Sequence, residues 1–254
     1  MIIGISGKMQ SGKDTVGKII QYLLGIRSLG FKFNPSEQDY NSYIINKYNR
    51  HSNWKIKRYG DKLKQVISLL TGIPVKDLEK IEVKNKVLGK EWDKVLIGDN
   101  YVSVQDYKDY IEDTTYIYKE SDIIHFTVRK LFQEVGTDAM RNVIHPDVWV
   151  NALFNDYKCV VNDYFGNRLP NWIITDVRFP NELNAIEDRE GFVIRVNSNF
   201  IDHKNKIARV KSNNDHESEI ALDNHNFDDY INNNGTIEDL IKKVKEILIK
   251  HKLL

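Results

Sequence analysis

Gly7-Lys8-Met9-Gln10-Ser11-Gly12-Lys13-Asp14 is the stretch on which the fold turns. It fits the pattern G-x-x-x-x-G-K. Before it runs an apolar segment, Ile2 to Ser6; after it, from about Lys13 to Leu24, Val16, Ile19, Ile20, Leu23 and Leu24 recur at helical spacing. A buried strand, a glycine-bearing loop and a helix in that order make a cradle for phosphate. Glycine lets the backbone curl until several N–H groups face one anion. The helix N-terminus adds the positive end of its dipole, and the Lys13 ammonium supplies a point charge for β- and γ-phosphates. Gly7, Ser11, Gly12, Lys13, Asp14 and Thr15 are therefore the expected triphosphate contacts. The position after the lysine ordinarily carries a hydroxyl that holds Mg²⁺; here it is Asp14, and Thr15 follows. A carboxylate binds Mg²⁺ directly or through water, so Asp14 is a predicted metal-linked residue and Thr15 is left for the α-phosphate.

Outward from the loop, strands and helices alternate. Trp54 to Tyr59 reads as a strand, Leu63 to Leu70 as a helix stopped by Thr71-Gly72-Ile73-Pro74, and Phe126 to Val135 as helical. His145-Pro146-Asp147 opens another helix. Asn171 to Asp176 is a buried strand, Glu182 to Glu190 a helix closed by Gly191, and Phe192 to Val196 the next strand. Tyr230-Ile231 reads as a short last strand, followed by a turn at Asn232-Asn233-Asn234-Gly235 and a helix with a capping-box start at Thr236 and Asp239. The pattern predicts an α/β fold with a parallel sheet flanked by helices, in a single domain over 1–254. Two stretches break it: a polar, Tyr- and Asp-rich insertion at about 96–121, and a polar, basic, lid-like segment at about 197–214.

The composition excludes several classes. With 254 residues, 41% hydrophobic and 29% charged, the chain suits a globular domain. A net charge of +1 gives no global field for polymeric nucleic acid or a membrane surface. No apolar run approaches the roughly 18 residues of a membrane helix, and the N-terminus lacks the basic and apolar regions of a signal peptide. The one cysteine, Cys159, suits a reducing cytoplasm; amid apolar neighbours it is expected to be a small buried hydrophobe.

Further blocks carry a resemblance. They are the G-K-D-T loop, Tyr59-Gly60-Asp61-Lys62-Leu63-Lys64, Lys84-Asn85 through Trp92, Leu131-Phe132-Gln133-Glu134-Val135-Gly136-Thr137-Asp138 with Arg141 and Asp147-Val148-Trp149, Thr175-Asp176-Val177-Arg178-Phe179-Pro180-Asn181-Glu182, His216-Glu217-Ser218-Glu219, and Tyr230 to Thr236. In this order they resemble the bacteriophage deoxynucleoside monophosphate kinases, over about two-thirds of the chain. The departures are Met9 and Gln10 inside the loop, Gly60 where Ala is commoner, and the stretch at 96–121. The resemblance implies a P-loop kinase that moves the γ-phosphoryl of ATP, with Mg²⁺, onto a (deoxy)nucleoside monophosphate. It also implies a homodimer, in the host-cell cytoplasm if the chain is viral. The alternatives are a P-loop kinase of another small metabolite, such as dephospho-coenzyme A or a sugar acid, and a non-catalytic nucleotide-binding switch.

An acceptor phosphate has its second pKa near 6 and needs no general base at neutral pH; two repelling anions need fixed cations and alignment. Arg178 follows a buried strand at the ligand edge of the sheet, with a surface pair to Glu182 as the alternative. Arg141 and Arg129 flank the Gly136-Thr137 turn, as phosphate clamps or as solvated helix residues. Lys13, Arg178 and Arg141 form the expected catalytic set. Asp176 is a candidate for Mg²⁺ through water, for the acceptor sugar, or for Arg178. Lys64, Arg129, Gly136, Thr137, Asp176, Arg178 and Glu182 form the expected acceptor site with Trp149, which the resemblance places against the nucleotide and which is otherwise a core aromatic. Arg195 and Arg209 bracket the lid-like segment as candidates to close over the γ-phosphate. His216 and Glu219 read as a helix-start pair rather than a proton relay or metal pair.

Overall fold

Every residue of β1 (Ile2–Ser6) is buried. A strand apolar along its whole length needs cover on both faces, which is the environment of a central parallel strand. In the computed structural model the described residues are 1–28, 40–43, 52–97, 100–104, 107, 123–159, 168–198 and 220–254. They divide into two compact units, Met1–Gly60 with Trp149–Leu254, and Asp61–Val148. After β1 come α1 (Lys13–Ser28), β2 (Trp54–Lys57), α2 (Gly60–Thr71), α3 (Ile81–Lys84), β3 (Lys94–Ile97), β4 (Asn100–Ser103), β5 (Ile123–Ile124) and α4 (Val128–Gln133). A π-helix, Glu134–Ile144, continues α4. Then follow α5 (Val148–Phe154), β6 (Asn171–Val177), α6 (Pro180–Glu187), β7 (Phe192–Asn197), β8 (Asp229–Asn232) and α7 (Ile237–Lys250).

The first unit is built on a five-stranded sheet of order β2-β6-β1-β7-β8 with every neighbouring pair parallel. All five carboxyl ends therefore lie at one edge. β1 sends its chain toward β2 on one side and its neighbour β7 sends its chain toward β8 on the other. The order reverses between them, and the crevice outside such a reversal is where open α/β sheets bind ligands. Ile3, Ile5, Val16, Ile19, Ile20, Ile173, Ile194, Ile241, Val244 and Leu248 are fully or almost fully buried in one core shared by the sheet, α1 and α7. Each such side chain contributes about 1.5–3 kcal/mol of transfer free energy. Thr236 caps α7 by accepting from the Asp239 N–H, as its sequence predicts.

The second unit has its own core of Ile67, Leu78, Phe126, Val128 and Leu131. Its small antiparallel sheet, β4-β3-β5, went unforeseen: the start of the stretch expected as a polar insertion is a hairpin of β3 and β4. The rest of that stretch, at 98–99, 105–106 and 108–121, lies outside the described residues, as do 199–214 of the lid-like segment, Arg209, and His216 to Glu219. Two further expectations are corrected. Gly136-Thr137 is no turn but lies inside the π-helix; a Cβ on Gly136 would come within 2.8 Å of Leu63 Cδ2, so the glycine serves close packing of the helix on that side chain. Cys159 is exposed rather than buried, because it lies beyond α5 in coil. No described helix is long and apolar enough to cross a membrane.

Candidate active site

The loop between β1 and α1 is held from three directions. Its own backbone closes with the Ser11 N–H on the Lys8 carbonyl at 3.1 Å, and the Val16 N–H on the Gly12 carbonyl, at 2.9 Å, starts the helix. The Lys13 ammonium donates to the Lys8 carbonyl at 2.7 Å, so the lysine lies back across the loop it serves. From the exit of β8, Asn233 donates its side-chain amide to the Ser11 carbonyl at 3.0 Å, while its own N–H reaches the Asn197 carbonyl at the end of β7 at 2.7 Å. Gly12 has φ +94, and a Cβ there would run into the Asn233 amide. Glycine is thus required twice over, by conformation and by contact. Ser11 is 1% exposed, and its hydroxyl has no hydrogen-bond partner among the described residues.

Asp14, at the start of α1, meets Arg58 just past the carboxyl end of β2: Arg58 Nη2 lies 2.9 Å from Asp14 Oδ1. Thr175 of β6 donates its hydroxyl to the same oxygen at 3.0 Å and accepts from Arg58 Nε at 3.3 Å. Burial alone would push the Asp14 carboxyl up, but the Arg58 charge and hydrogen bond, the Thr175 hydroxyl and the Lys13 charge together hold it below the usual carboxylate range. Asp14 is therefore an ionised carboxylate beside the phosphate loop, with its negative charge compensated by an arginine.

At the next strand end, Asp176 accepts the backbone N–H of Tyr59 at 2.8 Å through Oδ1 and of Gly60 at 2.9 Å through Oδ2. Its carboxylate thereby ties β6 to the turn leaving β2. Glu182 is 1% exposed and accepts the N–H groups of Arg178 at 2.7 Å and Phe179 at 3.2 Å. It fixes the turn that carries Arg178 through backbone bonds. Tyr59 closes the network by donating its hydroxyl to the Glu182 carbonyl at 2.8 Å. Arg178 is half-buried in that turn. Trp149 is 4% exposed on α5, the environment of a core aromatic.

The structure thus brings together Gly7, Ser11, Gly12, Lys13 and Asp14 at one loop, with Asp176 and Arg178 at the end of β6 on the same sheet edge and Glu182 in the first turn of α6. Sequence reasoning missed Arg58 and Asn233. Arg58 fell inside the strand expected over Trp54 to Tyr59; the strand ends at Lys57, which puts Arg58 just past its carboxyl end as Arg178 is past Val177. Asn233 lay in a recognised turn, but its amide partner is set by tertiary packing. Arg195, a candidate to close over the γ-phosphate, is 9% exposed and donates to Ser6 and Asp223.

In the second unit the predicted residues have local partners. Lys64 pairs with Asp61 and Glu79. Arg129 Nε donates to Asn85 Oδ1 at 3.2 Å, and Arg141 Nη1 to the Pro146 carbonyl at 3.3 Å. Gly136 and Thr137 are buried. The unit also holds an open, mostly apolar cleft of about 340 Å³ between Trp92, Phe126, Leu131 and Val135, with Lys94 and Glu134 in its lining. No group of three or more His, Cys, Asp or Glu converges among the described residues. A Mg²⁺ ion carried on a triphosphate needs only one or two carboxylates, and the ionised Asp14 fits that requirement.

A glycine loop with its lysine at the carboxyl edge of a five-stranded parallel sheet, at the point of strand reversal, defines a protein of the P-loop kinase fold. The chain belongs to the deoxynucleotide monophosphate kinase family, whose profile matches residues 1–244. Among curated relatives it is similar to the deoxynucleotide monophosphate kinase of Enterobacteria phage T4, with 30% identity over 135 residues, 51% of this chain and 51% of that one. It is also similar to that of Escherichia phage RB69, with 27% identity over 123 residues, 48% of this chain and 45% of that one. A putative deoxynucleotide monophosphate kinase of Acanthamoeba polyphaga mimivirus is 28% identical, over 46% of this chain and 59% of that one. The chain spans about half the length of these curated relatives.

Proposed function

We propose that this protein transfers the γ-phosphoryl of ATP to a deoxynucleoside monophosphate, giving ADP and the deoxynucleoside diphosphate. The observation that carries the reading is the phosphate loop at the sheet's ligand edge, in a chain whose family bears that description. ATP lies with its β- and γ-phosphates on the loop amides and Lys13. Thr15 serves the α-phosphate. Asp14, with Asp176 acting through water, would hold Mg²⁺, which when bound neutralises charge on the β- and γ-oxygens. Arg58 keeps Asp14 ionised and oriented.

The acceptor phosphate is assigned to Arg178, in the turn that Glu182 fixes and near Asp176; Lys64, Arg129, Gly136, Thr137 and Trp149 are assigned to the acceptor on the family resemblance alone. Its phosphate oxygen attacks the γ-phosphorus, the bond to the β-bridging oxygen breaks, and ADP leaves. The acceptor phosphate is mostly a dianion at neutral pH, so no base has to take a proton from it. What remains is to align two polyanions and offset their repulsion, the work of Lys13, Arg178 and Arg141. Glu182 contributes by fixing the turn under Arg178. We further assign the protein to the cytoplasm, that of the host cell if the chain is viral, as a homodimer that binds neither polymeric nucleic acid nor membrane. The test is a coupled ADP-release assay with all common ribo- and deoxyribonucleoside monophosphates, dephospho-coenzyme A and a sugar acid. Turnover with deoxynucleoside monophosphates is expected; turnover only with another acceptor, or with none, overturns the reading.

A further inference from the structure

Asp223 touches two cations that border the phosphate loop. Ser6, the last residue of β1, pairs in register with Arg195 of β7. The buried Arg195 guanidinium donates to Ser6 Oγ at 3.0 Å and to Asp223 Oδ1 at 2.7 Å, and its Cζ lies 5.4 Å from the centre of the Phe227 ring. The other oxygen of Asp223, Oδ2, faces the Lys8 ammonium at 2.9 Å. Lys8 is the second residue of the loop, and its carbonyl is the acceptor for both the Lys13 ammonium and the Ser11 N–H. One residue is therefore held by its side chain from Asp223 while its peptide oxygen organises the lysine assigned to the phosphates.

We propose that Asp223 is a positioning residue for the phosphate loop, acting through Lys8. A lysine on a flexible stem next to a triphosphate is drawn toward the anion, and its peptide turns with it. Fixing its ammonium keeps the carbonyl in place. Asp223 can do this because its own position is fixed: a planar, buried arginine anchored on β1 holds it by a charge-assisted hydrogen bond. The proposal rests on ATP being the ligand of this loop.

The test is Mg·ATP binding to the intact protein by calorimetry, with acceptor KM measured alongside. Asp223→Asn is expected to weaken ATP roughly ten-fold, the scale of a lost charged hydrogen bond, with a much smaller change in acceptor KM; Asp223→Glu should restore most of the loss. In a Lys8→Met background, Asp223→Asn should add less than about two-fold, because the route through Lys8 is already gone. Additive effects, tighter ATP binding in Asp223→Asn, or an equal rise in acceptor KM overturn the proposal. If Asp223→Asn leaves Arg195 too exposed to an unpaired burial cost to fold, Lys8→Met alone decides. It keeps the Arg195–Asp223 pair, and unchanged ATP affinity in it overturns the proposal. A wild-type protein that binds no ATP overturns the donor reading instead, which separates the two failures.

Discussion

In the parallel-sheet unit, Lys13, Asp14, Arg58, Thr175 and Asp176 come from widely separated stretches of chain and end at one edge of one sheet. In Asp61–Val148, Lys64, Arg129 and Arg141 lie in helical segments, and the contacts above join each to a neighbour in its own unit. The difference is one of geometry. Parallel strands place all their carboxyl ends on one side, so a charged residue one step past a buried strand is delivered to a shared edge whatever its place in the sequence. A helix delivers a side chain only to a face, and its usual partners are residues three or four positions away. Lys64 with Asp61 is such a pair. Motif position therefore says more about a residue's task in the first unit than in the second.

That contrast can be broken most directly at the loop. Lys13→Ala is expected to lower turnover by roughly three orders of magnitude, since it removes a fixed charge from the transferring phosphoryl, while the far-ultraviolet circular dichroism spectrum and melting temperature stay near wild type. Near-normal turnover in a folded variant would mean that strand-end placement does not identify the working cation.

A paired comparison sharpens it. Arg178→Lys keeps the charge and loses the fork, so kcat/KM should fall by about 1–3 kcal/mol of transition-state stabilisation. The acceptor should be affected more than ATP binding measured alone. Lys64→Met should cost less, within about 1 kcal/mol, because Lys64 already shares its charge with Asp61 and Glu79. Steady-state kinetics with both substrates varied give the ordering. A Lys64 effect that exceeds the Arg178 effect reverses the lesson drawn from the two units.

The same physics explains what could be read in advance. The three central parallel strands, β1, β6 and β7, were legible because they are largely apolar on both faces and bounded by turn residues, as at Asn171–Val177 and Phe192–Asn197; the edge strands β2 and β8 are short and alternate. The places of Lys13, Asp14 and Arg178 were legible because they follow from position next to the central strands. The β3–β4 hairpin was not, since two four-residue strands within a polar stretch carry too few apolar positions to set a period. Gly136 suggested a turn by its residue type, yet its reason is contact with Leu63, which no local pattern encodes. Arg58 was hidden because the expected strand runs on to Tyr59, whereas the strand ends at Lys57. Asn233 and Asp223 act through partners more than two hundred residues away in sequence, Ser11 and Lys8, and spacing alone offers no sign of such pairs.

The smallest expected effect concerns Arg58 itself. Partial burial pushes the Asp14 carboxyl up, and the Arg58 guanidinium is the largest of the contributions that reverse this. Because the folded carboxyl is held below its ordinary value, the interaction stabilises the fold above the ordinary carboxylate pKa and the benefit is lost as pH falls through the lowered folded value. Arg58→Met should therefore move the Asp14 titration upward, toward or past the ordinary range, and flatten the part of the acid-stability profile that Asp14 supplies. Asp14 is largely exposed, so the change in melting temperature should be slight and the titration itself is the better readout. Carbon-detected nuclear magnetic resonance of the Asp14 carboxyl follows it directly. The consequence for catalysis has the same sign: a carboxylate freed from Arg58 is less well oriented toward the metal, so the Mg²⁺ concentration for half-maximal rate should rise in Arg58→Met. An Asp14 titration that is unmoved by the substitution would show that Thr175 and Lys13 suffice to hold the charge, and the strand-end arginine would then have to be assigned to the substrates rather than to Asp14.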